Sequence, residues 1–156
     1  MRWALALVML AAGCAVEQAH VSVGRPDPVP FKLVSDAIAP SCATLDCHGK
    51  QAQPFRMYWA RGLRLDPALR PGEGDQTDAE YDATYRSLCG LEPFKLDAVV
   101  KGTARPETLT LVRKARGVEA HKWTSKLAIG SDPDVCLVSW LAGAVDVEAC
   151  KRAATP

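Results

Sequence analysis

The segment PSCATLDCHGK, Pro40 to Lys50, decides how the rest of the chain is read. It holds two cysteines, Cys42 and Cys47, with four residues between them and His48 directly after the second. Upstream, Phe31, Val34, Ala37 and Ile38 recur at helical spacing. The spacing predicts a helix that Pro30 opens and Pro40 ends. The cysteine motif therefore hangs from the end of a short amphipathic helix.

Three chemistries suit two thiols followed by an imidazole. Haem c attachment uses the thiols for thioethers to the porphyrin edge and the histidine as proximal ligand. The usual gap between the cysteines is two residues, and four are accommodated if the extra residues bulge outward. A plain Cys42–Cys47 disulfide needs no cofactor. A zinc site would take Cys42, Cys47, His48 and a fourth ligand such as His121, although adjacent Cys47 and His48 point in different directions.

The N-terminus sets the compartment. After Arg2 an uncharged apolar run leads to Ala11-Ala12-Gly13-Cys14. This is too short to span a bilayer and reads as a signal peptide over 1–13. Its end resembles a bacterial lipobox, which implies lipidation of Cys14. Ala15 after it implies sorting to the outer membrane under the enteric rule. The expected localisation is the cell envelope, with a membrane partner through the lipid anchor. An exported chain permits disulfides and haem c attachment, and disfavours a reduced zinc finger.

Charge excludes another class. Without Arg2 the remaining basic residues equal the 18 acidic ones, and no basic run stands out. Nucleic acid is not expected as a partner. Residues 14–30 read as the lipidated cysteine and a flexible tether with prolines near its end. His20 in that tether is given no role. The folded domain is placed at 31–152.

Within it, residues 52–76 read as a long loop. Thr77-Asp78-Ala79-Glu80 is a capping box that starts a helix over 78–89, with Tyr81, Thr84, Tyr85 and Leu88 on one face. Pro106 and Glu107 open a third helix, with Arg113, Lys114 and Arg116 late and Gly117 at its end. Asp132-Pro133-Asp134 opens a fourth, stopped by Gly143. About four short helices with long loops predict a small all-α domain.

The remaining cysteines add a constraint. Cys136 on the last helix and Cys150 beyond Gly143 would close a disulfide if the chain folds back, contributing about 3 kcal/mol. Cys89 is left over as a small buried apolar group, although pairing of Cys89 with Cys136 or Cys150 remains open at this point.

Five pieces in order carry a family resemblance: Tyr85-Arg86-Ser87-Leu88, Val99-Val100-Lys101-Gly102, Leu109 to Lys114, His121, and Trp140-Leu141-Ala142-Gly143-Ala144. With the CATLDCHG segment, residues 31 to 146 resemble small cytochrome-c-like domains of exported bacterial lipoproteins of the myxobacterial type. The resemblance implies one covalent haem c, held by Cys42, Cys47 and His48, and an electron carrier with an unnamed redox partner protein. Many members supply a methionine as second axial ligand between the third and last helices. That stretch here has none; His121 stands in its place, with Met57, the lone methionine after Cys14, as runner-up. Arg56, Arg61 and Lys122 are read as solvated charges within reach of propionates, Tyr58 and Trp59 as a haem-edge cover or loop anchor, and Trp140 as core. The alternative is a haem-free binding or structural module stapled by a Cys42–Cys47 disulfide. No catalytic constellation appears, so no enzyme activity is expected, and a peroxidase-like open haem is the weakest idea.

Overall fold

The computed structural model describes residues 22–122 and 126–155. Residues 1–21, which include the signal segment, Cys14 and His20, lie outside them. The described chain is all-α, with six helices and no strand. None of these helices is long and apolar enough to cross a membrane.

The first helix, α1 (Phe31–Cys42), buries Phe31, Val34 and Ile38. It does not end before Pro40, as the sequence predicts, but runs through it. A proline this late removes one amide from the ladder, and the chain closes normally beyond it, Ala43 N donating to Ala39 O at 2.8 Å. Cys42 is thereby the last helical residue.

α2 (Asp78–Cys89) begins where the sequence places it. The Thr77 hydroxyl accepts the Glu80 amide at 3.3 Å, and the Glu80 carboxylate accepts the Thr77 amide at 2.9 Å. Glu80 does more than cap. It is 1% exposed and bonds Arg64 Nε at 2.8 Å and the Leu65 amide at 3.0 Å. Arg64, 6% exposed, also donates to the Glu73 and Asp75 carbonyls. One filled ion pair thus ties the loop before α2 to its first turn.

α3 (Pro93–Val100) is not predicted from the sequence. It has eight residues and buries only Leu96 and Val99, too little for a periodic signal. The expected third helix is split. A 3-10 turn (Pro106–Thr108) is followed by extended Leu109 and then α4 (Thr110–Ala115). The break is stabilised from outside: Glu92 accepts the Thr110 amide at 2.6 Å and so caps α4. Gly117, at φ +71°, lies just past its end.

α5 (Asp132–Leu141) matches its prediction, with Gly143 at φ +81° beyond it. The chain then folds back as α6 (Val147–Ala154), a helix that the sequence reading treats only as a return. Asp146 caps it by accepting the Ala149 amide at 2.9 Å. The Cys136–Cys150 disulfide joins α5 to α6 as expected, and Cys89 is a buried free thiol. The helices α1, α5 and α6 pack mutually, and α2 lies on α1. Phe31 meets Tyr85 and Trp140 at ring separations of 5.2 and 5.1 Å in the centre of the core.

The folded unit starts earlier than residue 31. The Tyr85 hydroxyl donates to Pro26 O at 2.7 Å, Trp140 Nε1 to Asp27 O at 2.8 Å, and Gly24 N to Asp97 Oδ1 at 2.6 Å. These bonds satisfy two buried aromatic donors with backbone of the expected tether. Residues 24–30 are therefore a strap on the domain.

Two stability outcomes follow. Arg64→Ala strands the Glu80 carboxylate and is expected to destabilise the domain by about 3–5 kcal/mol in urea unfolding. Burial alone would push the Glu80 carboxyl up, but Arg64 and the Thr77 and Leu65 amides outweigh it and hold the group below its ordinary 4.5. Its contribution is then complete above pH 4.5 and is lost as pH falls through the lower folded value. Urea midpoints measured against pH will show this loss, and Glu80→Gln will flatten it. Separately, replacing Cys136 and Cys150 by alanine is expected to lower stability by about 3 kcal/mol.

Candidate haem site

The Cys42–His48 loop leaves the end of α1 and closes on itself. His48 N donates to Cys42 O at 2.9 Å, Cys47 N to Thr44 O at 2.9 Å, and Gly49 N to Thr44 O at 3.0 Å. The extra residues form a turn, and Leu45 at its outer edge is 49% exposed. The wide cysteine spacing is thus absorbed as a bulge while both ends of the motif stay together.

Two glycines make this tight turn fit. A Cβ on either Gly49 or Gly62 would collide with the Ala43 carbonyl oxygen. Ala43 is fully buried, so the carbonyl has nowhere to retreat. Gly62 comes from the 52–76 loop, where Gly62 N donates to Trp59 O and Trp59 N to Leu63 O. The requirement there is for close backbone approach, which only glycine permits.

His48 is held from several sides. Its carbonyl accepts the Met57 amide at 2.9 Å, and its ring lies 4.7 Å from the Phe55 ring. Nδ1 is 3.1 Å from Phe55 O. A carbonyl only accepts, so Nδ1 carries the proton and Nε2 keeps its lone pair. Burial pushes the His48 pKa down, the Phe55 hydrogen bond opposes this, and nearby His121 lowers it further. The neutral imidazole, the form that ligates a metal, is favoured.

Cys42, Cys47, His48 and His121 all line one cavity of about 420 Å³. This volume falls in the range of small-molecule sites. Its apolar wall is built by Pro54, Phe55, Leu91, Leu111 and Ala115, and Lys114, Lys122 and Lys126 also line it. His121 arrives from the α4–α5 connection, and its ring centre is 5.9 Å from that of His48, with the planes 22° apart. The two rings are stacked. The buried His121 Nδ1 has no hydrogen-bond partner among the described residues.

The two thiols are unbonded. Burial first, then neighbouring Cys47, pushes the Cys42 thiol up to about 12, with Lys126 opposing. Among the described residues no cluster of three or more His, Cys, Asp and Glu side chains is disposed to hold a bare metal ion. The four-ligand zinc alternative is thereby not supported; His48 turns its ring to Phe55 and His121.

The other sequence candidates fall outside the cavity. Met57 is fully buried in the core and does not line it. Tyr58 and Trp59 anchor their loop, Tyr58 N donating to Thr84 Oγ1 at 3.0 Å and Trp59 packing against the core. Arg61 lies 6.0 Å from the Trp59 ring, and the Arg56 amide bonds Ser87 Oγ. Trp140 is core, as expected. Of the three cations singled out in the sequence, Lys122 alone lines the cavity. The Phe55 carbonyl, Gly62, Lys114 and Lys126 were not legible as site residues. Lys114 carried only a helix-dipole signal, and nothing local marks which carbonyl will meet a ring nitrogen.

No family model matches this chain, and neither a curated protein nor a solved structure matches it.

Gly62→Ala is expected to displace the Ala43 carbonyl and with it the cysteine loop, destabilising the domain by about 1–3 kcal/mol. Gly74→Ala meets nothing within 4 Å but sits at φ +66°, so it shows the cost of backbone strain alone, where Gly62→Ala shows that of steric collision. Urea unfolding of both variants checks the difference.

Proposed function

We propose that this chain is an exported, lipid-anchored c-type cytochrome domain that carries a single haem and transfers electrons. The observation that carries the reading is the convergence of Cys42, Cys47, His48 and His121 on one largely apolar cavity. The donor set fits the group. Cys42 and Cys47 would hold the porphyrin edge as thioethers, and His48, with Nε2 free, would be the proximal ligand. His121, which lines the same cavity, would stand as the second ligand. Bound there, haem supplies an iron that takes up and releases one electron.

The chain's own residues do the rest. The Phe55 carbonyl holds the His48 ring in one tautomer and raises its basicity as a ligand. Leu91, Leu111 and Ala115 would give the group an apolar wall, and Lys114, Lys122 and Lys126 would provide countercharge for its carboxylates. Two histidine ligands favour a lower potential than a histidine–methionine pair. Cys14 would fix the protein to the membrane, and a redox protein would be its partner.

The test is expression in a host with haem c maturation machinery. The denatured protein is expected to keep a reduced pyridine haem spectrum, with the mass of one added haem. Cys42→Ser with Cys47→Ser is expected to abolish covalent attachment, and Met57→Leu to leave the spectrum unchanged. A protein without haem, with a mass lowered by the hydrogens of a Cys42–Cys47 disulfide, would sink the proposal in favour of the stapled, haem-free module.

A further inference from the structure

α3 is apolar on two opposite sides. Leu96 and Val99 are buried in the core, while Phe94 is 74% exposed and Val100 37% exposed on the outer side. Phe94, Lys101, Asp97 and Val100 fall within about 120° of arc there. Among the described residues no other aromatic ring is as exposed as Phe94. A helix that is apolar all round is one that is covered on both sides. The core covers only one.

The chain enters the domain at the outer side. Gly24 N donates to Asp97 Oδ1 at 2.6 Å, and a Cβ on Gly24 would lie 3.6 Å from Val100 Cγ1. Gly24 is ten residues after Cys14. Ten residues reach at most about 35 Å, close to the width of a domain of this size. A lipid on Cys14 therefore keeps the α3 side of the domain next to the bilayer.

Resting on the lipid-anchored reading above, we propose that the outer side of α3 is a membrane-docking face, with the Phe94 ring seated in the bilayer surface. The attraction is apolar. Lys95 pairs with Glu92 and Lys101 with Asp97, so these four charges cancel and docking needs no anionic lipid. One ring binds a bilayer weakly, but the anchor makes docking an intramolecular step at high effective concentration. Leu91 and Glu92, which line the cavity, directly precede α3. Docking thereby also fixes which part of the cavity rim lies toward the bilayer.

The experiment inserts the lipidated full chain into the outer leaflet of preformed phosphatidylcholine vesicles. A water-soluble amine reagent is added, and modification of each lysine is followed by mass spectrometry. Relative to the unlipidated Cys14→Ser chain in solution, Lys95 and Lys101 are expected to react roughly 10-fold more slowly. Lys32 of α1 and Lys151 of α6 are expected to react as in solution. Phe94→Ser is expected to return Lys95 and Lys101 to the solution rate and to leave the urea midpoint unchanged, because the ring lies outside the core. An anchored wild type whose Lys95 and Lys101 react at the solution rate overturns the docking face and leaves the anchor standing. Protection that persists in Phe94→Ser also overturns it. A chain with no lipid mass on Cys14 overturns both readings. Slowing that appears in the Cys14→Ser chain as its concentration rises, with none added by vesicles, assigns the face to a second copy and overturns the bilayer as its occupant.

Discussion

The ion pair between Arg64 and Glu80 organises the part of the molecule that has no regular structure. Both side chains are almost wholly buried, and each fills its remaining hydrogen-bonding capacity with backbone of the same loop and cap. Burying two charges is costly, and the pair persists where every donor and acceptor is met. The consequence reaches the site. The loop so fixed carries Phe55, whose carbonyl orients His48, and Gly62, which passes under the Ala43 carbonyl. An ion pair outside the cavity lining thus helps set its geometry.

The cavity combines two demands that oppose each other. Its walls are apolar enough to drive the His48 imidazole toward its neutral form and the Cys42 thiol toward its protonated form. The same burial leaves the second imidazole with an unmet polar atom. Apolar surroundings strengthen any interaction made there, and make an unmade one costly. Lys114, Lys122 and Lys126 place positive charge among the lining residues of this apolar cavity.

Local signals were legible where one short stretch contains both partners of an interaction. The Thr77–Glu80 capping box, the glycine stop after α5 and the short loop closed by Cys136 and Cys150 are of this kind. The cysteine–histidine motif was legible as chemistry for the same reason. Legibility failed for α3 and α6, whose eight residues each bury only two side chains and are held by neighbours. It failed again at Pro40, where the penalty falls on a single ladder bond. It also failed for residues 24–30, whose docking depends on Tyr85 and Trp140, far along the chain.

The sequence by itself determined the all-α class, the start of α2 and the residue types of the candidate site, because propensity and capping act over a few residues; which cysteine pairs with Cys136 was settled by the fold. Only the tertiary structure decided that His121 faces His48, that Met57 belongs to the core, and that the Phe55 carbonyl and two glycines shape the cysteine loop. Those outcomes join residues from separate elements. They depend on how the chain closes over its core, which no local pattern encodes.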